Sequence, residues 1–290
     1  MQRHLIVTAD DFGLHEAVND AVEQASRNGI LTAASLMVSG PAAADAVRRA
    51  RRLPDLRVGL HVVLADGWAS LAHEQIPALS DANGYMSDDM FTRGVRYFSS
   101  PSVRAQLEAE IRAQFAAFER TGLQLDHVNT HKHFHFHPTI LSTLIRVVRD
   151  YGARAMRVPD EPFWFAARNG QWRSVLGGAL LTPWILLMKH LLRDVGLFHN
   201  DHVFGIAESG AMDEAQLLAI LARLPQGVTE IYLHPATLSG SAIAPSMNKY
   251  RHADELAGLL SARVRNAIAA QNIRRGGYSD VLGEIGRSLA

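Results

Sequence analysis

The chain has 290 residues, 29 basic against 29 acidic side chains, 48% hydrophobic content and no cysteine. This composition excludes a disordered or collagen-like chain, a disulfide scaffold, thiolate zinc sites and a cysteine nucleophile. With a formal charge of zero and no long run of lysine or arginine, nothing draws the protein to a phosphate backbone, so nucleic acid is not an expected partner.

The first residues, MQRHLIVTADDFG, enter a strand-like run directly and lack the basic, apolar and small-residue pattern of a secretory signal, so a cytoplasmic location is expected. Residues 5–9 (LIVTA) read as a strand that stops at two carboxylates, and HEAVNDAVEQASRNG follows with apolar residues at helical spacing. The alternation continues with strands at 33–38, 57–64, 125–129, 155–158 and 229–233 and helices at 41–52, 102–121 and 139–151. Strands alternating with helices predict an α/β fold with mainly parallel strands, and the number of units favours an irregular TIM-like (β/α) barrel over an open sheet. Residues 65–100 read as a long loop excursion, and 160–203 as an insertion that breaks the barrel rhythm; loops of this length usually serve as lids or binding surfaces. Within the insertion, VLGGALLTPWILLM (175–188) is uncharged but too short to span a bilayer; it reads as a buried core segment or as one that touches lipid or covers a greasy substrate. No repeat or linker divides the chain, and 1–290 is expected to form one domain.

Chemistry concentrates at strand ends. Asp10 and Asp11 lie at the carboxyl end of the first strand, the edge where active sites assemble in parallel α/β folds. Helix capping accounts for one aspartate more easily than two, and adjacent carboxylates raise the pKa of one partner unless a cation sits beside them. His61 interrupts the apolar run GLHVVL. The segment DHVNTHKHFHFHP carries histidines at 127, 131, 133, 135 and 137, among the fourteen of the chain. An extended backbone puts 131, 133, 135 and 137 on one side, whereas a helical turn brings His131 and His135 together. One carboxylate and two neutral imidazoles on a divalent ion leave open positions for water and substrate, so the metal would be catalytic, and zinc, magnesium, manganese, cobalt and iron all accept such ligands. His234 in IYLHPA ends a late strand and is a candidate general acid for a departing amine. Arg157 is expected to make an ordinary ion pair, with substrate contact as the alternative.

The motifs TADDFG, GLHVVL, THKHFHFHP and LHPA, in this order, resemble the YdjC/ChbG family of carbohydrate deacetylases, and RNGILTAASLMVSG resembles that family's second strand region. The resemblance implies an irregular TIM-like barrel and a divalent metal, magnesium or zinc, held by Asp11, His61 and His131. Asp10 would be the general base on a water at the metal, and His234 the acid that protonates the sugar nitrogen. His133 and His135 are open between a place on the metal and contact with substrate. The tract departs from the sugar-hydrolase members at Lys132, often histidine there, and is closer to the hopanoid biosynthesis-associated HpnK subgroup. That subgroup implies an N-acetylglucosaminyl hopanoid substrate; chitooligosaccharide hydrolysis and a non-catalytic metal- or lipid-binding barrel are the alternatives. Peripheral contact with the inner face of a membrane and a homodimer are left open.

Overall fold

The computed structural model describes residues 3–168, 170, 172–238 and 240–289. Strand β1 (Arg3–Phe12) leads through α1 (Glu16–Asn28), β2 (Ala33–Leu36) and α2 (Ala43–Ala50) to β3 (Arg57–Val62). A hairpin of β4 (Gly67–Trp68) and β5 (Tyr85–Met86) and helix α3 (Met90–Ser99) then precede α4 (Pro101–Arg120), β6 (Leu125–Thr130), a 3-10 segment (His131–Phe136) and α5 (Pro138–Asp150). The second half runs through α6 (Phe163–Arg168), α7 (Trp172–Asp194), β7 (His202–Phe204), α8 (Glu214–Leu221) and β8 (Gly227–Leu233). It ends with α9 (Gly240–Ile243), α10 (His252–Leu260), α11 (Ala262–Ala270), β9 (Arg274–Arg275) and α12 (Tyr278–Leu289).

The strands form one parallel sheet in the order β6-β3-β2-β1-β8-β7, with β9 added beside the start of β1. Beyond β6 the ladder is extended by isolated parallel bridges, Val128 to Met156 and Ala155 to Phe198, and Val203 N of β7 donates to Asp160 O at 2.9 Å, so the sheet curls into a half-barrel, consistent with the irregular barrel that the alternation predicts. β1 sits in the middle, and every residue from Leu5 to Phe12 is buried, as the near-continuous apolar run of a strand covered on both faces requires. Pro101 and Pro138 open α4 and α5 at the first turn, where the missing N–H would have had no helical partner.

Three expectations are corrected. Within 155–158 only Ala155 and Met156 pair, each in an isolated bridge, and at Val158 the side-chain amide of Asn200 takes the place of a neighbouring strand: Asn200 Nδ2 donates to Val158 O and Asn200 Oδ1 accepts from Val158 N, both at 2.8 Å. The excursion at 65–100 is not loop throughout; it contains the β4–β5 hairpin and α3, whose Phe91, Val95 and Phe98 have helical spacing but face outward. It is tied to α4 by buried side chains: Gln114 Oε1 accepts from Val63 N at 2.8 Å, and Glu110 accepts from Ser70 N at 2.8 Å and Leu71 N at 3.0 Å. The apolar run at 175–188 lies in α7, continuous through Pro183; the side chains of 172–179 lie outside the described residues. Beyond them α7 buries Ile185, Met188 and Leu192 and exposes Leu180, Leu181, Leu186 and Leu187, so it is neither wholly core nor wholly surface. Among the described residues, no helix is long and apolar enough to cross a membrane.

The barrel interior is polar. Glu230 of β8 accepts from Arg157 Nε and Nη2 at 2.8 Å each, and from the hydroxyls of Thr8 and Tyr278 at 2.6 Å each. On the β3–β6 side a bulge sets Gly59 against Asp126 and His127. The His127 ring, held by Asp126 Oδ2 at 2.9 Å and Ser35 Oγ at 3.0 Å, lies directly over Gly59, where an added Cβ would come within 2.5 Å of it. Gly59→Ala should therefore destabilise the protein by about 1–3 kcal/mol through overpacking, read as a lower midpoint of denaturant unfolding; an unchanged midpoint would show that the ring can yield.

Candidate active site

Neighbouring side chains of a regular strand point to opposite faces. Asp10 and Asp11 escape this rule because Asp11 takes a left-handed backbone, φ 62°, at a register shift between Ala9 and Phe12 against β2. The turn is closed by Leu14 N donating to Asp11 O at 2.9 Å and Gly13 N donating to Asn19 Oδ1 at 2.9 Å. Gly13 has φ 96°, and a Cβ there would lie 2.9 Å from Met37 O, so the glycine of the DDFG motif is required twice over.

Asp11 is buried, and neither carboxylate oxygen has a hydrogen-bond partner. Its Oδ1 lies 3.2 Å from His61 Nε2 and 3.0 Å from His131 Nδ1, yet neither contact has hydrogen-bond alignment. One ligand atom from each of the three residues falls within 4.8 Å of the others, the only such cluster among the described residues. The structure thus brings together the three residues that the resemblance names. A buried carboxylate left without donors is costly, and this donor set of one oxygen and two ring nitrogens suits a divalent cation. Burial opposes a charge on His131, but the Asp11 and Asp66 carboxylates outweigh it and raise the ring to about 9. The site favours positive charge, carried by a proton or by a metal.

The imidazole of His61 is oriented by Asn129. The Asn129 amide nitrogen is committed to Ser35 Oγ at 2.8 Å and Asp10 Oδ1 at 3.3 Å, so its oxygen faces His61 Nδ1 at 2.7 Å. That contact places the ring proton on Nδ1 and leaves the Nε2 lone pair for the Asp11 side. His131 Nε2 points to Asp66 Oδ2 at 4.0 Å, and Asp66 in turn accepts from Lys132 Nζ at 2.7 Å and the Tyr85 hydroxyl at 2.9 Å.

Asp10 meets Arg157 in a fork: Nη1 donates to Oδ2 at 2.6 Å and Nη2 to Oδ1 at 2.9 Å. Arg157 is fully buried, pairs with Glu230 on its other side, and lies over the Tyr232 ring at 4.7 Å. Burial alone would raise the Asp10 pKa; the Arg157 guanidinium overrides it and holds the group below the ordinary carboxylate range. The ion pair expected for Arg157 is therefore present, and its partner is a candidate catalytic residue.

Neither geometry expected for the histidine tract occurs. Lys132 and His133 are left-handed, with φ 56° and 52°, and this kink sends successive imidazoles in different directions. His135 is removed from both roles left open for it, because Nδ1 meets Thr130 Oγ1 at 2.7 Å and Nε2 meets Arg157 O at 3.0 Å; burial and Arg157 push its pKa down to about 3. His133 stands outside the three-residue cluster and lines the cleft, its Nδ1 buried without a partner and its ring 5.0 Å from that of Tyr232. Burial and Arg157 hold it neutral. His234 Nε2 lies 3.9 Å from Asp11 Oδ2, and burial lowers its pKa against the pull of Asp11 and Asp10.

These groups surround a small cleft of about 70 Å³ that reaches Asp10, His61, His131, His133 and His234 and is walled by Tyr232, Ser209, Ser246, Met247 and Tyr250. Sequence reasoning did not single out Asn129, Asp66 or these wall residues. For Asn129 a signal exists, the period-two spacing 127, 129, 131, and for Tyr232 of β8 its place two residues before His234; for Asp66 and the other walls, which come from outside the strands, the sequence offers none.

The family described as YdjC-like protein matches residues 4–270. The carbohydrate deacetylase of Brevibacillus brevis is 31% identical over 277 residues, covering 96% of this chain and 99% of the relative. The chitooligosaccharide deacetylase of Escherichia fergusonii is 26% identical over 285 residues, covering 97% and 100%. A crystal structure of an Enterococcus faecalis V583 protein, described as a candidate cellobiose-phosphate cleavage protein, superposes with a TM-score of 0.77 at 22% identity over 97% of this chain and 99% of that one, a likeness of fold. With the family match running across nearly all of its strands and through every motif of the cleft, this chain belongs to the YdjC-like protein family.

Proposed function

We propose that this protein is a divalent-metal-dependent deacetylase that hydrolyses the N-acetyl group of an amino sugar. The observation that carries the reading is the buried, donor-free Asp11 carboxylate facing His61 and His131, with Asp10 and His234 at the same cleft. Relatives named carbohydrate deacetylase and chitooligosaccharide deacetylase support the substrate class.

Asp11, His61 and His131 would hold the ion, which when bound polarises the acetyl carbonyl, stabilises the developing oxyanion and acidifies water. The chain's own residues supply the proton steps. Arg157 keeps Asp10 ionised and fixes its plane; Oδ1 is saturated by Arg157 and Asn129, whereas Oδ2 accepts from Arg157 alone and retains one acceptor position for the proton of the attacking water. His234 then delivers a proton from Nε2 to the sugar nitrogen as the C–N bond breaks, releasing acetate and the free amine. His133, neutral and with a free Nδ1, is placed to hydrogen-bond the sugar.

We further propose an N-acetylglucosaminyl hopanoid as the substrate. The HpnK-like tract supports this, and so does an apolar groove at the end of that tract. Trp184 of α7 donates to Phe136 O at 2.9 Å, and these two with His137 and Pro138 line an open groove of about 390 Å³ next to the exposed leucines of α7. Peripheral contact of this face with a membrane fits the same substrate. The name of the Escherichia fergusonii relative favours a second reading, a free chitooligosaccharide.

Asp11→Asn and His131→Ala should each lose bound metal, measured by elemental analysis, together with acetate release; retention of metal and turnover in both would refute the site. Asp10→Asn should keep the metal and lose about 10²–10⁴ in kcat, the usual contribution of a general base, whereas a non-catalytic barrel would show no turnover to lose. Acetate release should be faster from the N-acetylglucosaminyl hopanoid than from a chitooligosaccharide, and the opposite order would replace the lipid substrate with the free sugar.

A further inference from the structure

His234 is the first residue beyond β8, and Pro235 after it has no N–H, so the backbone here has left the sheet that aligned the preceding residues. Two side chains of α10 take hold of it instead. Glu255 Oε2 accepts from His234 N at 2.5 Å, while its Oε1 accepts from Met212 N at 2.9 Å. His252 Nδ1 donates to His234 O. Both residues are buried, at 1% exposure for His252 and 0% for Glu255, and their spacing of three sets them on one face of α10. The Tyr250 ring fills the space between, 5.0 Å from the His234 ring and 5.5 Å from that of His252.

We infer that His252 and Glu255 are positioning residues for the His234 imidazole: they clamp its backbone N–H and C=O from one helix and so aim Nε2 into the cleft. The inference rests on the proposed role of His234 as the acid. The observations favour a positioning role over plain packing in three ways. An ionisable group is spent on each half of one residue, both come from one face of a single helix, and His234 itself makes no side-chain hydrogen bond at Nδ1 that would orient the ring. A general acid displaced by a fraction of an ångström from its proton acceptor loses rate while binding is unchanged.

The test uses the full-length, metal-loaded protein with an N-acetylated amino sugar and compares His234→Ala, His252→Phe, Glu255→Gln and the double variant His234→Ala/His252→Phe. His252→Phe should lower kcat about tenfold or more with KM, bound metal per chain and melting temperature little changed, a smaller loss than His234→Ala because the acid is misplaced rather than removed. The double variant should be no slower than His234→Ala alone, since a residue that acts through His234 has nothing left to position. Glu255→Gln keeps one acceptor and should fall between wild type and His252→Phe; it guards against a folding defect in the other variant. Full activity in His252→Phe and Glu255→Gln, or additive losses in the double variant, would overturn the clamp while leaving the acid in place. Full activity in His234→Ala would instead remove the acid assignment and the clamp with it.

Discussion

The structure is organised around uncompensated negative charge in the barrel interior. Of the buried carboxylates Asp10, Asp11 and Glu230, two share one guanidinium, that of Arg157, which is fully engaged by Asp10 and Glu230. Asp11 is left over. A buried carboxylate without donors is costly as an isolated anion, so the third carboxylate favours positive charge beside it, a proton on His131 or a metal ion. His61 and His131, brought in by β3 and by the end of β6, set two ring nitrogens beside Asp11, a donor set that could hold a metal ion.

This arrangement separates two aspartates that are adjacent in the chain and identical in chemistry. Arg157 and Asn129 hold Asp10 ionised and oriented, and the imidazoles claim Asp11. The division depends on backbone geometry: with Asp11 in an ordinary strand conformation, one of the pair would face away from the barrel. A left-handed residue at this point stores strain of about 1–3 kcal/mol, offset by the Gly13–Asn19 turn that follows it and by the pairing of β1 with β8 along seven residues.

The polar network also explains why the histidine tract does not behave as a uniform metal trap. His127 and His135 have both ring nitrogens occupied by protein groups, and they serve as struts beneath the site. His131 is the one imidazole of the tract in the ligand cluster, and His133, displaced by two left-handed residues, faces the cleft with an unused nitrogen. Function within the tract is assigned by what each ring already bonds, not by its spacing. The outer surface follows a different logic. α3 exposes Phe91, Val95 and Phe98 to solvent, and α7 exposes Leu180, Leu181, Leu186 and Leu187.

The order of strands and helices, the parallel barrel, and the carboxyl-edge position of Asp10, Asp11, His61, His131 and His234 follow from the amino-acid sequence, because apolar periodicity and turn residues are local properties. Local pattern failed where partners are distant. Residues 155–158 have strand composition, yet at Val158 the Asn200 side chain supplies the hydrogen bonds that a strand would; Phe91, Val95 and Phe98 of α3 have helical spacing, yet they face outward. The roles of Asn129, Asp66, Arg157 and the α10 residues were decided only by the tertiary structure. Each acts through a contact with a residue far away in the chain, and such contacts are set by the curl of the sheet and the crossing of loops, which leave no period in the sequence.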